Sequence, residues 1–97
     1  MENYYPILID PEKWIAAKGT AITIRNGCIF STDMYGCIVL ELCDGRFCVK
    51  DICALVKSII DEVAGAAGIK IKKNIIEKNV KKFLLKAKRE GLIIWKK

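Results

Sequence analysis

The sequence predicts an α+β fold in which a short N-terminal hairpin sheet of two to three strands precedes three helices. Three observations carry that prediction. Thr20-Ala21-Ile22-Thr23-Ile24-Arg25 alternates β-branched apolar with polar residues, Asn26-Gly27 follows, and Cys28-Ile29-Phe30-Ser31-Thr32 returns. Alternation is the period of a half-buried strand, and Asn-Gly suits the positive φ values of a two-residue type I′ turn. Next, Asp33 to Gly45 reads as a short buried helix marked at both ends. Asp33 supplies an N-cap acceptor, and Asp44-Gly45 supplies a residue that takes positive φ without steric cost. Finally, the remainder repeats apolar residues at three- and four-residue intervals, the spacing of amphipathic helices.

Taken in order, Met1 to Pro11 holds two prolines, two tyrosines and an Ile-Leu-Ile run. It reads as an arm or a short edge strand, so residues 1–13 are set apart from a domain over 14–97. Lys13-Trp14-Ile15-Ala16-Ala17, closed by the Lys18-Gly19 turn signal, reads as a first strand. In the following strand Ile22 and Ile24 are expected to face the core. Cys37, Ile38, Val39, Leu40, Leu42 and Cys43 are nearly continuous apolar surface, so the first helix must be covered on most sides. The second helix is expected from Val49 to Glu62, and Val63 to Gly68 reads as a flexible connection. Asn74-Ile75-Ile76-Glu77 has the form of a capping box, opening a third helix from Ile75 to Glu90 that stops at Gly91. At 100° per residue Ile76, Val80, Phe83, Leu84 and Ala87 fall in one sector. The expected core is Ile38, Leu42, Ile52, Val56, Val80, Phe83 and Leu84. Leu92-Ile93-Ile94-Trp95 reads as a short apolar extension or strand.

Composition narrows the function. Ninety-seven residues make one domain with one modest core. No run approaches the roughly 18 apolar residues of a membrane span, and the N-terminus lacks a signal-peptide pattern. A cytoplasmic protein without membrane association is expected. The five cysteines, Cys28, Cys37, Cys43, Cys48 and Cys53, form no Cys-x-x-Cys pair, and histidine is absent. They read as reduced, buried small hydrophobes rather than metal ligands. Without histidine, a nucleophile–base pair or a phosphate-cradling glycine loop, neither catalysis nor a cofactor is expected.

Charge is unevenly placed. Residues 1–69 hold six basic and nine acidic side chains, and residues 70–97 hold eleven basic and two acidic, net −3 and +9. The third helix carries most of the basic block. Its outward side gathers Lys78, Lys81, Lys82, Lys88 and Arg89 around Leu85, an isolated apolar residue on a cationic face. Such a residue suits an apolar contact inside a basic rim, so a partner of acidic character is expected there.

Hairpin followed by helices suggests a small winged-helix-like domain. At residue level, Asp33, Gly36, Leu40-Glu41-Leu42-Cys43-Asp44-Gly45, Val49-Lys50-Asp51-Ile52, Asn79-Val80-Lys81-Lys82-Phe83-Leu84 and Glu90-Gly91-Leu92-Ile93 resemble the PqqD family. These are the peptide chaperones of pyrroloquinoline quinone synthesis and the related RiPP recognition elements of natural product biosynthesis. The resemblance spans Trp14 to Trp95. Cys48 stands where the family often has Ser or Thr, and Asp33 where it often has Asn. The resemblance implies binding without catalysis: the leader segment of a ribosomally made precursor peptide adds as a strand to the sheet, beside the third helix, for delivery to a modifying enzyme, often a radical SAM protein. Mapped here, the peptide-binding residues are Cys28, Ile29, Phe30, Ser31 and Thr32, with Lys78, Lys81, Lys82, Leu85, Lys88 and Arg89 on the third helix. Main-chain bonds on an open edge would give affinity and side-chain pockets selectivity. Two alternatives stand beside it. One is a DNA-binding winged helix with the lysines on phosphates, although the helix has one arginine and, beyond Asn74 and Asn79, no amide to read bases. The other is a structural domain of a larger assembly.

Overall fold

Alternating and helical patterns resolve into five strands and three α-helices among residues 1–17, 20–25 and 27–97, which the computed structural model describes. The order is β1 (Tyr5–Leu8), a 3-10 turn at Pro11–Lys13, β2 (Ile15–Ala17), β3 (Thr20–Arg25), β4 (Cys28–Thr32), α1 (Met34–Glu41), α2 (Val49–Ala66), α3 (Lys73–Arg89) and β5 (Ile93–Lys96). The α+β class and the order of strands before three helices are as predicted. Two sheets form. β2, β3 and β4 make an antiparallel sheet in sequence order, and β1 pairs antiparallel with β5, joining the two ends of the chain. The segment expected as an arm or edge strand is thus a strand, and so is the C-terminal apolar run. Lys18, Gly19 and Asn26 lie outside the described residues, so the turns expected at Lys18-Gly19 and Asn26-Gly27 are not assigned. Gly27 itself has φ of 76°.

The pleat of β3 is the reverse of the expected one. Ala21 and Thr23 are buried, whereas Ile22 and Ile24 point outward, 43% and 67% exposed. Thr23 explains the choice. Its Oγ1 donates to the Lys13 carbonyl at 3.0 Å, which satisfies a buried hydroxyl and ties the strand to the turn before β2. Phe30 lies opposite Thr23 in the register and packs on the core from the same face.

Around α1 the predicted cap is present: Asp33 is in extended conformation and its Oδ1 accepts from the Gly36 N–H at 2.9 Å. The helix ends sooner than Asp44-Gly45 marks, with Leu42 at its C-cap. Residues 43–45 instead run beside β1. Leu8 N–H donates to the Cys43 carbonyl at 2.7 Å and Gly45 N–H to the Pro6 carbonyl at 3.3 Å. Gly45 takes φ of 87° to make that return.

Two helix boundaries correct the sequence reading. α2 continues through Ala66, so most of the stretch expected as a flexible connection is helix. Ala64 is buried there, and Gly68, at φ of 73°, closes the helix with Ile69 N–H donating to the Ala64 carbonyl at 2.8 Å. α3 starts at Lys73 with Lys72 as N-cap and no side-chain cap, so the box at Asn74 does not form. Asn74 already lies inside the first turn, and Glu77 pairs with Lys73 at 3.7 Å. Cys48 heads α2 without a side-chain cap bond either.

The core joins all three helices to β5 through Val39, Leu40, Ile52, Val56, Val80, Leu84 and Ile93. Ile38, Leu42 and Phe83, expected inside it, are only half-buried at its margin. The cysteines divide. Cys43 and Cys53 are buried, Cys37 and Cys48 half-buried, and Cys28 exposed, contrary to the expectation that all five are buried. Burial pushes the Cys43 thiol up to about 12, and its Sγ–H donates to the Val39 carbonyl at 3.3 Å. Among the described residues no helix is long and apolar enough to cross a membrane.

Candidate functional site

Strand order alone leaves β4 at one border of its sheet, with β3 on one side and no strand on the other among the described residues. An edge of this kind presents N–H and C=O groups that another chain can pair. Beside it runs α3, and the two bound a groove of about 350 Å³ lined by Ile29, Phe30, Ser31, Thr32, Phe83, Lys86, Ala87, Glu90 and Leu92. Its walls combine apolar surface from Phe30, Phe83, Ala87 and Leu92 with Lys86 of α3 and Glu90 at that helix's C-cap.

Gly36 lies against Thr32 and Phe83, two of the side chains that line this groove. A Cβ built on it would lie 2.8 Å from the Thr32 Cβ and 2.9 Å from the Phe83 Cε2, so α1 can approach both β4 and α3 only as glycine. The Phe83 ring that results meets Tyr35 edge-on, with centroids 6.5 Å apart at 82°. Two hydroxyls of this neighbourhood, Thr32 Oγ1 and Tyr35 OH, are buried with no hydrogen-bond partner among the described residues. Burial, with smaller contributions from Cys53 and Asp33, pushes the Tyr35 phenol up to about 12, so it stays a donor. A buried hydroxyl without a partner costs about 1–3 kcal/mol, which a bound main chain reaching either group would recover.

Past Phe83 the groove opens into a second depression of about 520 Å³, where Ile60, Ile71 and Ile75 form an apolar floor and Lys82 and Lys86 stand on the α3 side. Phe83 and Lys86 border both spaces. Together they offer a path along α3 that starts on a strand edge and ends on isoleucines.

The residues named from the sequence separate into three groups. Ile29, Phe30, Ser31 and Thr32 line the groove, Cys28 begins β4 outside its lining, and Lys82 belongs to the second depression. Lys81 and Lys88 stand on the other flank of α3. Lys81 Nζ donates to Glu2 Oε1 at 2.5 Å, a pairing that lowers the Glu2 carboxyl and raises the Lys81 amine. Lys88 borders a depression with Tyr4, Ile93 and Trp95, next to β5. Lys78, Leu85 and Arg89 are exposed, and Leu85 lies about 200° around the helix from Phe83. A strand on β4 therefore meets Phe83, Lys86, Ala87 and Glu90, and does not share a groove with Leu85. The signal for this was present in the sequence, since these four recur at i, i+3, i+4 and i+7 beside the core stripe. Counting Phe83 wholly as core, as the stripe suggests, hides it, because the ring is only half-buried and lines the groove.

No family model, curated protein or solved structure matches the chain. The groove is therefore read from its own chemistry. Among the described residues no group of three or more Cys, Asp or Glu side chains is placed to hold a metal ion.

Proposed function

We propose that this chain captures an extended peptide by strand addition on β4, seats its side chains in the groove under α3, and presents it to a modifying enzyme without catalysing a reaction itself. The observation that carries the reading is an unpaired strand edge next to an apolar groove on a lysine-bearing helix. Main-chain pairing supplies affinity whatever the sequence, while Phe83, Ala87 and Leu92 select apolar residues at alternate positions. Lys82 and Lys86 favour an acidic residue between them. This is the chemistry that the PqqD-like resemblance implies: a precursor leader peptide as ligand and a radical SAM protein as the enzyme it is brought to.

The charge of α3 also keeps a nucleic-acid reading in view, but the strand after α3 pairs with β1 and does not form a hairpin wing beside a recognition helix. A titration separates the two. A labelled acidic–apolar leader peptide is expected to bind in the micromolar range, and the same peptide with proline at alternate positions to lose binding, because proline cannot donate to the ladder. Equal binding of both peptides, or tighter binding of duplex DNA with a steep salt dependence, would replace strand addition with the winged-helix reading.

A further inference from the structure

Small side chains in β2 and β3 leave another space in the fold, which the peptide seat does not use. Ala16 stands directly opposite Ala21, so adjacent strands present two of the smallest side chains at the same level of one sheet face, and the gap beneath α1 stays unfilled. The resulting pocket measures about 450 Å³, within the range of small-ligand sites. β1, the 3-10 turn, the β2–β3 pair, α1 and the Cys43–Asp44 segment all contribute to its walls. Its apolar lining includes Leu8, Trp14, Ala16, Ala21 and Leu40. None of its lining residues borders the β4–α3 groove, so the two sites are separate.

We propose that this pocket binds a small apolar amine, with its hydrocarbon body against Leu8, Trp14 and the paired alanines and its ammonium group beside Glu41. Charge decides the class of ligand. Among the described residues, Glu41 and Asp44 are the charged side chains of the lining and no lysine or arginine joins them, whereas lysines border both spaces along α3. Asp44 is shared with Arg46, whose Nε donates to its Oδ2 at 2.7 Å. Glu41 forms no ion pair among the described residues. It also stands in the last turn of α1, where no basic side chain is present, so its carboxylate meets the negative end of the helix dipole. An ammonium group there offsets both charges, and a carboxylate ligand would be repelled by both. Walls on several sides suit a compact ligand that enters whole, rather than the broad face a protein partner covers.

Backbone amide shifts of the ¹⁵N-labelled full chain test the proposal, with phenethylamine, the neutral phenethyl alcohol and the anionic hydrocinnamate as probes of similar size. The amine is expected to bind with Kd of about 0.1–1 mM and to shift Ala16, Ala21, Leu40 and Glu41, with the alcohol weaker and the acid weakest. Glu41→Gln keeps the shape and removes the charge, so it should weaken the amine about two- to fivefold and leave the alcohol unchanged. Ala16→Val suits a strand and fills the hollow, so it should weaken amine and alcohol alike by about tenfold or more, with a thermal midpoint near wild-type. Equal affinity for the three probes, amine binding unaffected by either variant, or no shift with the amine at about 5 mM would overturn it.

Discussion

The two sheets of this small domain are built from strands of similar length but differ in what covers them. In the β1–β5 sheet Pro6 and Ile93 are buried, and the outer side of β1 bonds to the Cys43–Gly45 segment, so that edge of the sheet is spent within the chain and β5 forms the other. In the β2–β3–β4 sheet the buried residues are the small Ala21 and Thr23, the large apolar ones face outward, and β4 has one side unpaired. One sheet therefore holds the fold together by joining the chain ends to the core. The other has surface and hydrogen-bonding capacity left for a partner, and α3 runs close enough to β4 to give that capacity shape.

If the comparison is right, truncations should weigh very differently in the two sheets. Ile93→Ala, 2% exposed in β5, is expected to cost about 2–5 kcal/mol in urea unfolding, whereas Ile24→Ala should stay within about 0.5 kcal/mol in dilute solution. Equal losses would mean that both sheets belong to the core. Gly36→Ala comes next. Alanine normally favours a helix by about 1 kcal/mol over glycine, but contacts under 3 Å to Thr32 and Phe83 should outweigh that gain and give a net loss of about 1–3 kcal/mol. Peptide binding should change with it, since the Phe83 ring that lines the groove must shift. A stabilised variant that binds normally would show that the close approach of α1 does not set the groove.

Removing the cap with Asp33→Ala should cost about 1 kcal/mol, read from the denaturation midpoint, because the Gly36 N–H loses its acceptor. The smallest effect concerns the exposed Glu2 and the half-buried Lys81. Their pairing lowers the Glu2 carboxyl, so its contribution is complete at neutral pH and is lost as pH falls from about 4.3 through the lowered folded value. The raised Lys81 amine contributes below its ordinary value and loses that contribution as pH rises through the raised one. Carboxyl NMR titration of Lys81→Met should return Glu2 toward the ordinary glutamate range, and salt should do so partially. An unmoved titration would remove the tie between the N-terminal segment and α3.

How much of this was legible in the sequence depends on what each pattern encodes. The hairpin strands, the Asp33 cap and the α3 core stripe were readable because local periodicity and capping chemistry specify them directly. The facing of β3 was not, because alternation defines two faces without saying which one is buried. Assigning the larger Ile22 and Ile24 inward was overruled by a tertiary contact, the bond from Thr23 to Lys13. The Asn74 box failed because its residues match a cap in type while the helix begins two residues earlier, at Lys73 rather than Ile75. Within the candidate site, β4 is named by what the PqqD-like resemblance implies, and hairpin chemistry alone locates the strand without marking it as an edge for a partner. The lysines of α3 were pooled on one face, whereas the N-terminal segment and β5 occupy the flank carrying Lys81 and Lys88 and leave Lys82 and Lys86 to the groove side.

The central claim is that β4 and the Phe83 flank of α3 act as one peptide seat. Titrating an acidic–apolar leader peptide into ¹⁵N-labelled protein and following backbone amides tests it most directly. The expected result is concerted shifts at Ile29 to Thr32 and at Phe83, Lys86, Ala87 and Glu90, with Tyr5 to Leu8 and Ile93 to Lys96 unmoved. Shifts confined to α3, or centred on the β1–β5 sheet, would contradict it.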